Sequence, residues 1–184
     1  MLVDGFAAAV QLRTEDHKAW AVLTKVGLPW HASGNKGITI APDKKYPVIE
    51  LDRDTARLHR IRWNNDDRGV VPIGSDGEPT PEEWYEAARK WDSILRRKEN
   101  ECWIQLEPGR VLIFDNWRVL HGRSAFSGIR RICGAYSKSN PLPISHKHAS
   151  FFVLTRTAVN RDDYMSRWMN TNLDRQEIMR RVLG

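Results

Sequence analysis

Among six histidines, His121 stands in the most chemically loaded surroundings. It follows the apolar run Val111 to Phe114 and the turn Asp115-Asn116-Trp117-Arg118, and Arg130 stands nine residues beyond it with Arg131 alongside. A neutral imidazole nitrogen ligates a metal. A guanidinium holds a carboxylate through two parallel hydrogen bonds, about twice as strong as neutral ones. A chelating keto acid needs both at once: a metal for its keto and C1 oxygens, and a cation for its far carboxylate. Two strands joined by a loop of this length bring a His and an Arg to one interior face. One His and one Arg admit this chemistry without identifying it.

The other histidines offer less. His17 belongs to a solvent-facing helix surface, His31 to a loop, and His59 to a strand where it packs structurally. His146 and His148 form His-x-His, a chelating spacing with no third ligand nearby. No histidine is followed two residues later by Asp or Glu, so a chelating His-x-Asp pair is missing from the chain.

Elements must place these groups. The opening Met1 to Phe6 reads as the middle of a strand running into a turn. Thr14 to Val26 reads as a helix, with Thr14 as cap, Glu15 and Asp16 at its positive end, and Gly27 and Pro29 as stops. Short extended runs follow at Gly37 to Ala41, Pro47 to Leu51 and Leu58 to Trp63, bounded by turn residues. Val70 to Pro79 is a polar loop. Thr80-Pro81-Glu82-Glu83 is a capping box with Pro at the first helical position. Trp84, Ala87, Ala88, Trp91, Ile94 and Leu95 then recur on one helical face through about Lys98, the pattern of a core stripe. Cys102 to Leu106 and Arg110 to Phe114 are expected to pair as a hairpin across Glu107-Pro108-Gly109. Asp115 to Gly122 reads as an irregular connection, and Ile129 to Tyr136 as another strand. Residues 137–159 show no single period and mix Pro141, Pro143 and polar clusters with an apolar run. Asp162 to Val182 is amphipathic and suggests helices. Several strands around one long helix suggest a mainly β sandwich or jelly roll with helical additions.

The 184 residues suffice for one domain with a real core, and 41% hydrophobic with 28% charged residues is an ordinary globular composition. No window approaches the roughly 18 apolar residues of a membrane span, so a soluble protein without membrane partners is expected. Eight tryptophans are many for this length and favour a ligand pocket or interface. Two cysteines, Cys102 and Cys133, make no disulfide framework and read as small buried hydrophobes in a reducing compartment. The net charge of +6 admits an anionic partner. The basic residues are scattered and no groove-reading motif occurs, which argues against nucleic acid. The N-terminus carries neither signal-peptide nor transit-peptide features.

The string from Glu107 to Arg123, Glu-Pro-Gly-Arg-Val-Leu-Ile-Phe-Asp-Asn-Trp-Arg-Val-Leu-His-Gly-Arg, closely resembles the Fe(II)- and 2-oxoglutarate-dependent oxygenases of the carnitine pathway. Ile129 to Tyr136, Ile61 to Arg68, Arg161 to Tyr164 and Leu2 to Phe6 look like further blocks of that family. Within it the string is closest to the trimethyllysine dioxygenases, with the γ-butyrobetaine dioxygenases as relatives and the TauD/TfdA-like enzymes as the wider superfamily. The resemblance implies a double-stranded β-helix with a 2-His-1-carboxylate iron site, using 2-oxoglutarate and O₂, with ascorbate as reductant. By position it makes His121 the distal iron ligand and Arg130 the clamp on the 2-oxoglutarate C5 carboxylate. Tyr136 falls at one wall of an aromatic cage for a quaternary ammonium, where ordinary strand packing is the alternative role. Asn64 falls at a contact to the polar end of the substrate, where a turn cap is the alternative. The activity implied is hydroxylation of N6-trimethyllysine to its 3-hydroxy product. γ-Butyrobetaine hydroxylation and a non-catalytic binding module are the competing readings. In the family the strand ending at Tyr136 passes almost directly into the Arg161 block, so the resemblance makes residues 137–159 an atypical insertion, read as a retained intron or mis-joined gene model rather than a functional insertion. The family's His-x-Asp pair lies upstream of the block at Leu2. The chain is therefore expected to be an N-terminally truncated single domain with an incomplete β-helix, inactive alone. Relatives suggest a homodimer and a mitochondrial or cytosolic location.

Overall fold

The computed structural model describes residues 1–30, 32–35, 38–40, 44–74, 77–107, 109–125, 127, 133–136 and 149–153. The opening strand, β1 (Leu2–Asp4), passes at once into a helix, α1 (Gly5–Glu15), rather than into a turn. Asp4 caps it by accepting from the Phe6 and Ala7 amides at 3.0 and 3.2 Å. The helix expected at Thr14 to Val26 is shorter, α2 (His17–Lys25), and Asp16 caps it through the Ala19 amide at 2.9 Å. Thr14 lies inside α1 and donates its hydroxyl to the Val10 carbonyl at 3.0 Å. The first helix shows no stripe in the sequence because Phe6 to Val10 is apolar all round. Its buried residues, Gly5, Ala8, Ala9 and Leu12, nonetheless keep helical spacing.

The third helix, α3 (Pro81–Leu95), carries the predicted capping box between Thr80 and Glu83, and all six residues of the predicted stripe are buried. It packs against both α1 and α2. Trp84, Trp91, Leu12, Leu23 and Ile94 form the inside of this helical layer, with Leu28, Val48 and Ile49 joining from the following segments.

The strands are short. β2 (Ala32–Asn35) pairs with β3 (Ile38–Ile40), and β4 (Ile49–Leu51) with β5 (Leu58–Ile61). β1 lies between β6 (Glu101–Cys102) and β8 (Val119–His121), antiparallel to both. A second three-stranded sheet runs β7 (Val111–Asp115), β10 (Ala149–Val153), β9 (Cys133–Tyr136). Segment 137–159 thus supplies the strand between β7 and β9.

Four expectations change here. The hairpin between Cys102–Leu106 and Arg110–Phe114 does not form: β6 stops at Cys102 and pairs with β1, whereas β7 pairs with β10. The turn itself exists, with Gly109 at φ +86° and the Arg110 amide on the Glu107 carbonyl at 3.1 Å. A turn with Pro at its second position cannot take the positive φ that a tight hairpin requires there, and such turns splay the flanking strands. Second, the connection after Asp115 is ordered into β8, placing His121 on a strand. Third, Cys102 is exposed rather than buried. The architecture mixes helix and strand instead of being mainly β, and among the described residues no barrel closes. The expected helices of Asp162 to Val182 lie outside the described residues.

Candidate active site

Sequence-distant segments converge at the turn between β7 and β8. The Asp115 side chain accepts the Trp117 amide at 2.9 Å, and the Asp115 carbonyl accepts the Arg118 amide at 3.1 Å, which tightens the turn. The Trp117 carbonyl accepts the Ile61 amide at 2.8 Å and the Arg118 carbonyl accepts the Gly5 amide at 2.9 Å. The blocks Leu2–Phe6, Ile61–Arg68 and Glu107–Arg123 therefore meet in space.

His121 ends β8 opposite Leu2, and its ring lies 5.0 Å from that of Phe114 at 54°. The imidazole keeps an exposed edge, yet the protein packed around it lowers its pKa below the ordinary value of 6.5. A hydrogen bond to the Val119 backbone opposes that shift and the positive N-terminus adds to it. At neutral pH the ring is in its uncharged, metal-ligating form.

Tyr136 lies opposite Ser150, and Ser150 opposite Phe114, so one register row crosses the sheet from β9 to the strand whose phenylalanine touches His121. Arg130 and Arg131 fall outside the described residues, as do His31, His146 and His148.

Asn64 is exposed at a turn. Its carboxamide oxygen accepts the Asp66 amide at 3.1 Å, and its nitrogen donates to Asp67 Oδ2 at 2.6 Å. Asn65 accepts from Arg68 Nε at 2.7 Å. Both side chains serve the turn in this state. The strand leading to them is pinned by aromatic faces: Arg60 stacks on Trp117 at 4.4 Å, and Arg62 on Tyr46 at 4.1 Å. Burial lowers the Arg60 pKa to about 10, with the Arg62 charge adding to the effect, so Arg60 stays cationic at neutral pH. His59, expected to be merely structural, stands edge-on to Trp117 at 4.9 Å.

Among the described residues no three His, Cys, Asp or Glu side chains gather to hold a metal. A single imidazole such as that of His121 does not by itself make a 2-His-1-carboxylate site. The pair Asp4–Arg118, which joins the N-terminal block to the His121 strand, carries no signal in the sequence. Only the pairing of β1 with β8 reveals it.

The same blocks lie within the residues that match known proteins. The chain is 61% identical over 184 residues to the trimethyllysine dioxygenase of Neurospora crassa, covering all of this chain and 34% of that protein. It is 41% identical over 142 residues to the mitochondrial trimethyllysine dioxygenase of Homo sapiens, covering 74% of this chain and 32% of the relative. The γ-butyrobetaine dioxygenase of Homo sapiens is 29% identical over 143 residues, covering 74% of this chain and 35% of that protein. The chain thus spans about a third of the length of the relatives it matches. The sequence pattern of the taurine catabolism dioxygenase TauD, TfdA family covers residues 1–136, and the chain belongs to that family.

Proposed function

We propose that this chain is the C-terminal part of a 2-oxoglutarate-dependent oxygenase that hydroxylates N6-trimethyllysine at C3. The observation that carries the reading is the 61% identity to a trimethyllysine dioxygenase along the whole chain, including the strand that ends in His121. In this reading the sheets belong to a double-stranded β-helix. His121 is the distal iron ligand, Arg130 holds the C5 carboxylate of 2-oxoglutarate, Tyr136 walls the trimethylammonium cage, and Asn64 meets the polar end of the substrate. Segment 137–159 is an addition to this domain. Iron with 2-oxoglutarate and O₂ supplies hydroxylation of an unactivated C–H bond, with succinate and CO₂ as co-products and ascorbate maintaining the ferrous state. The chain's own residues orient the keto acid and hold a cation that has no N–H donors, for which aromatic faces are the fitting partner. The mitochondrial names of the mammalian relatives favour that compartment.

Trimethyllysine is favoured over γ-butyrobetaine by identity, 41% against 29% to the two human enzymes. The test is a chimera in which this chain replaces the matching third of the Neurospora enzyme, offered both substrates in parallel. The expected result is hydroxylation of trimethyllysine that His121→Ala and Arg130→Ala abolish. Full turnover by the His121→Ala chimera, or a preference for γ-butyrobetaine, overturns the reading.

A further inference from the structure

We infer that Asp4 and Arg118 are positioning residues for His121, locking the strand that carries it to the strand and helix at the start of the chain. The inference rests on the proposed function only in taking His121 as the iron ligand. The Arg118 guanidinium forks onto the Asp4 carboxylate, Nε on Oδ1 at 3.0 Å and Nη2 on Oδ2 at 2.5 Å. That carboxylate is also the cap of α1, so one group joins three elements: β1, α1 and the β7–β8 turn. The joint is closely fitted. A Cβ on Gly5 would meet the Arg118 carbonyl oxygen at 2.7 Å and Ile61 Cγ1 at 3.0 Å, so only glycine lets the backbones approach. At the far end of the same ladder the Gly122 amide donates to the Met1 carbonyl at 3.1 Å. His121 is held between these two anchors, three residues from one and adjacent to the other.

A ligand on a three-residue strand has little regular structure of its own to fix it. Among the described residues β8 pairs with β1 alone, and β1 itself has only three residues. The fork therefore sets where the imidazole stands, and partially exposed charge makes it a local device rather than a pillar of global stability. Asp4 and Arg118 side chains are 39% and 50% exposed.

Amide hydrogen exchange on the 184-residue chain tests this residue by residue. Asp4→Asn keeps a capping oxygen and removes the charge, while Arg118→Lys keeps the charge and removes the fork. Each is expected to speed exchange of the Gly5 and Gly122 amides about tenfold, with the Trp91 and Ile94 amides of α3 unchanged. In the chimera described above, the same substitutions are expected to weaken ferrous-ion affinity about tenfold or more, the usual effect of loosening a ligand's support. Unchanged exchange at Gly122 overturns the inference. Equal acceleration in α3 also overturns it, because the pair would then serve stability in general. If instead exchange responds as expected but His121→Ala leaves the chimera's iron affinity intact, the functional reading fails and the positioning of the strand stands.

Discussion

The helical layer and the sheets of this chain are built on opposite terms. In the helical layer, Trp84 and Trp91 are 1% and 0% exposed, and α1, α2 and α3 pack on one another through continuous apolar faces. The sheets consist of strands of two to five residues, and β7 leaves Val111 and Ile113 about half exposed. The residues with chemistry sit on the second kind of structure. Among the described residues most of the large buried side chains lie in the helical layer, with Val3, Ile49 and Ile61 of the strands packed against it, whereas hydrogen bonds and ion pairs between segments distant in sequence place the candidate site.

The sharpest way to break this contrast is to empty the helical layer. Trp91→Ala is expected to cost about 3–5 kcal/mol in urea unfolding, enough to unfold a marginal domain. A cost below about 1 kcal/mol would show that the layer is not the core. Gly5→Ala is expected to cost about 1–3 kcal/mol, because the new methyl drives against the Arg118 carbonyl. Thermal melting should register it, and the helix propensity of alanine, by itself favourable, should not rescue it. Thr80→Ala removes one half of the capping box and is expected to cost about 1 kcal/mol by the same measurement.

Charge changes should be gentler. The Arg97 guanidinium, with Lys90 assisting, holds the exposed Glu15 carboxyl at about 2, while Lys18 lowers Glu83 and Arg118 lowers Asp4. Carboxylates depressed in the folded state stabilise it fully above their unfolded values, and that stability is lost as pH falls toward about 2. The lowered pKa of His121 acts in the same direction nearer neutrality. Below 6.5 the unfolded chain takes up the proton first, so stability declines as pH drops through that region. A melting series against pH should therefore fall monotonically from neutral to acid, and His121→Ala should remove its upper part. The smallest effect is expected at Arg96→Ala, which breaks an exposed i,i+4 pair with Asp92 worth about 0.3–0.5 kcal/mol.

Legibility in the sequence followed the same division. Helix α3 was plain because its cap, its proline and its stripe all agree. Helix α1 was hidden, since a run of alanines flanked by Phe6 and Val10 carries no contrast between faces. β1, β3, β4, β5, β7 and β9 fall in runs legible as extended, whereas β2, β8 and β10 do not, and no partner was legible: β1 and β8 lie more than a hundred residues apart in sequence, and no local pattern encodes that pairing. The same holds for the site. His121 stood out by its neighbours, and the resemblance gave it a role. The fork of Arg118 on Asp4 became visible only once β1 was placed beside β8. Asn64 admits both a substrate contact and a turn cap from sequence; the structure shows its turn hydrogen bonds, and the substrate contact is part of the proposal.

The chain belongs to the TauD, TfdA family, and His121 is proposed as one ligand of its iron. Anaerobic calorimetric titration of the 184-residue chain with ferrous ion tests it most directly. The account predicts weak binding, without a stoichiometric end point, that disappears in His121→Ala. Tight one-to-one binding that survives His121→Ala would contradict it.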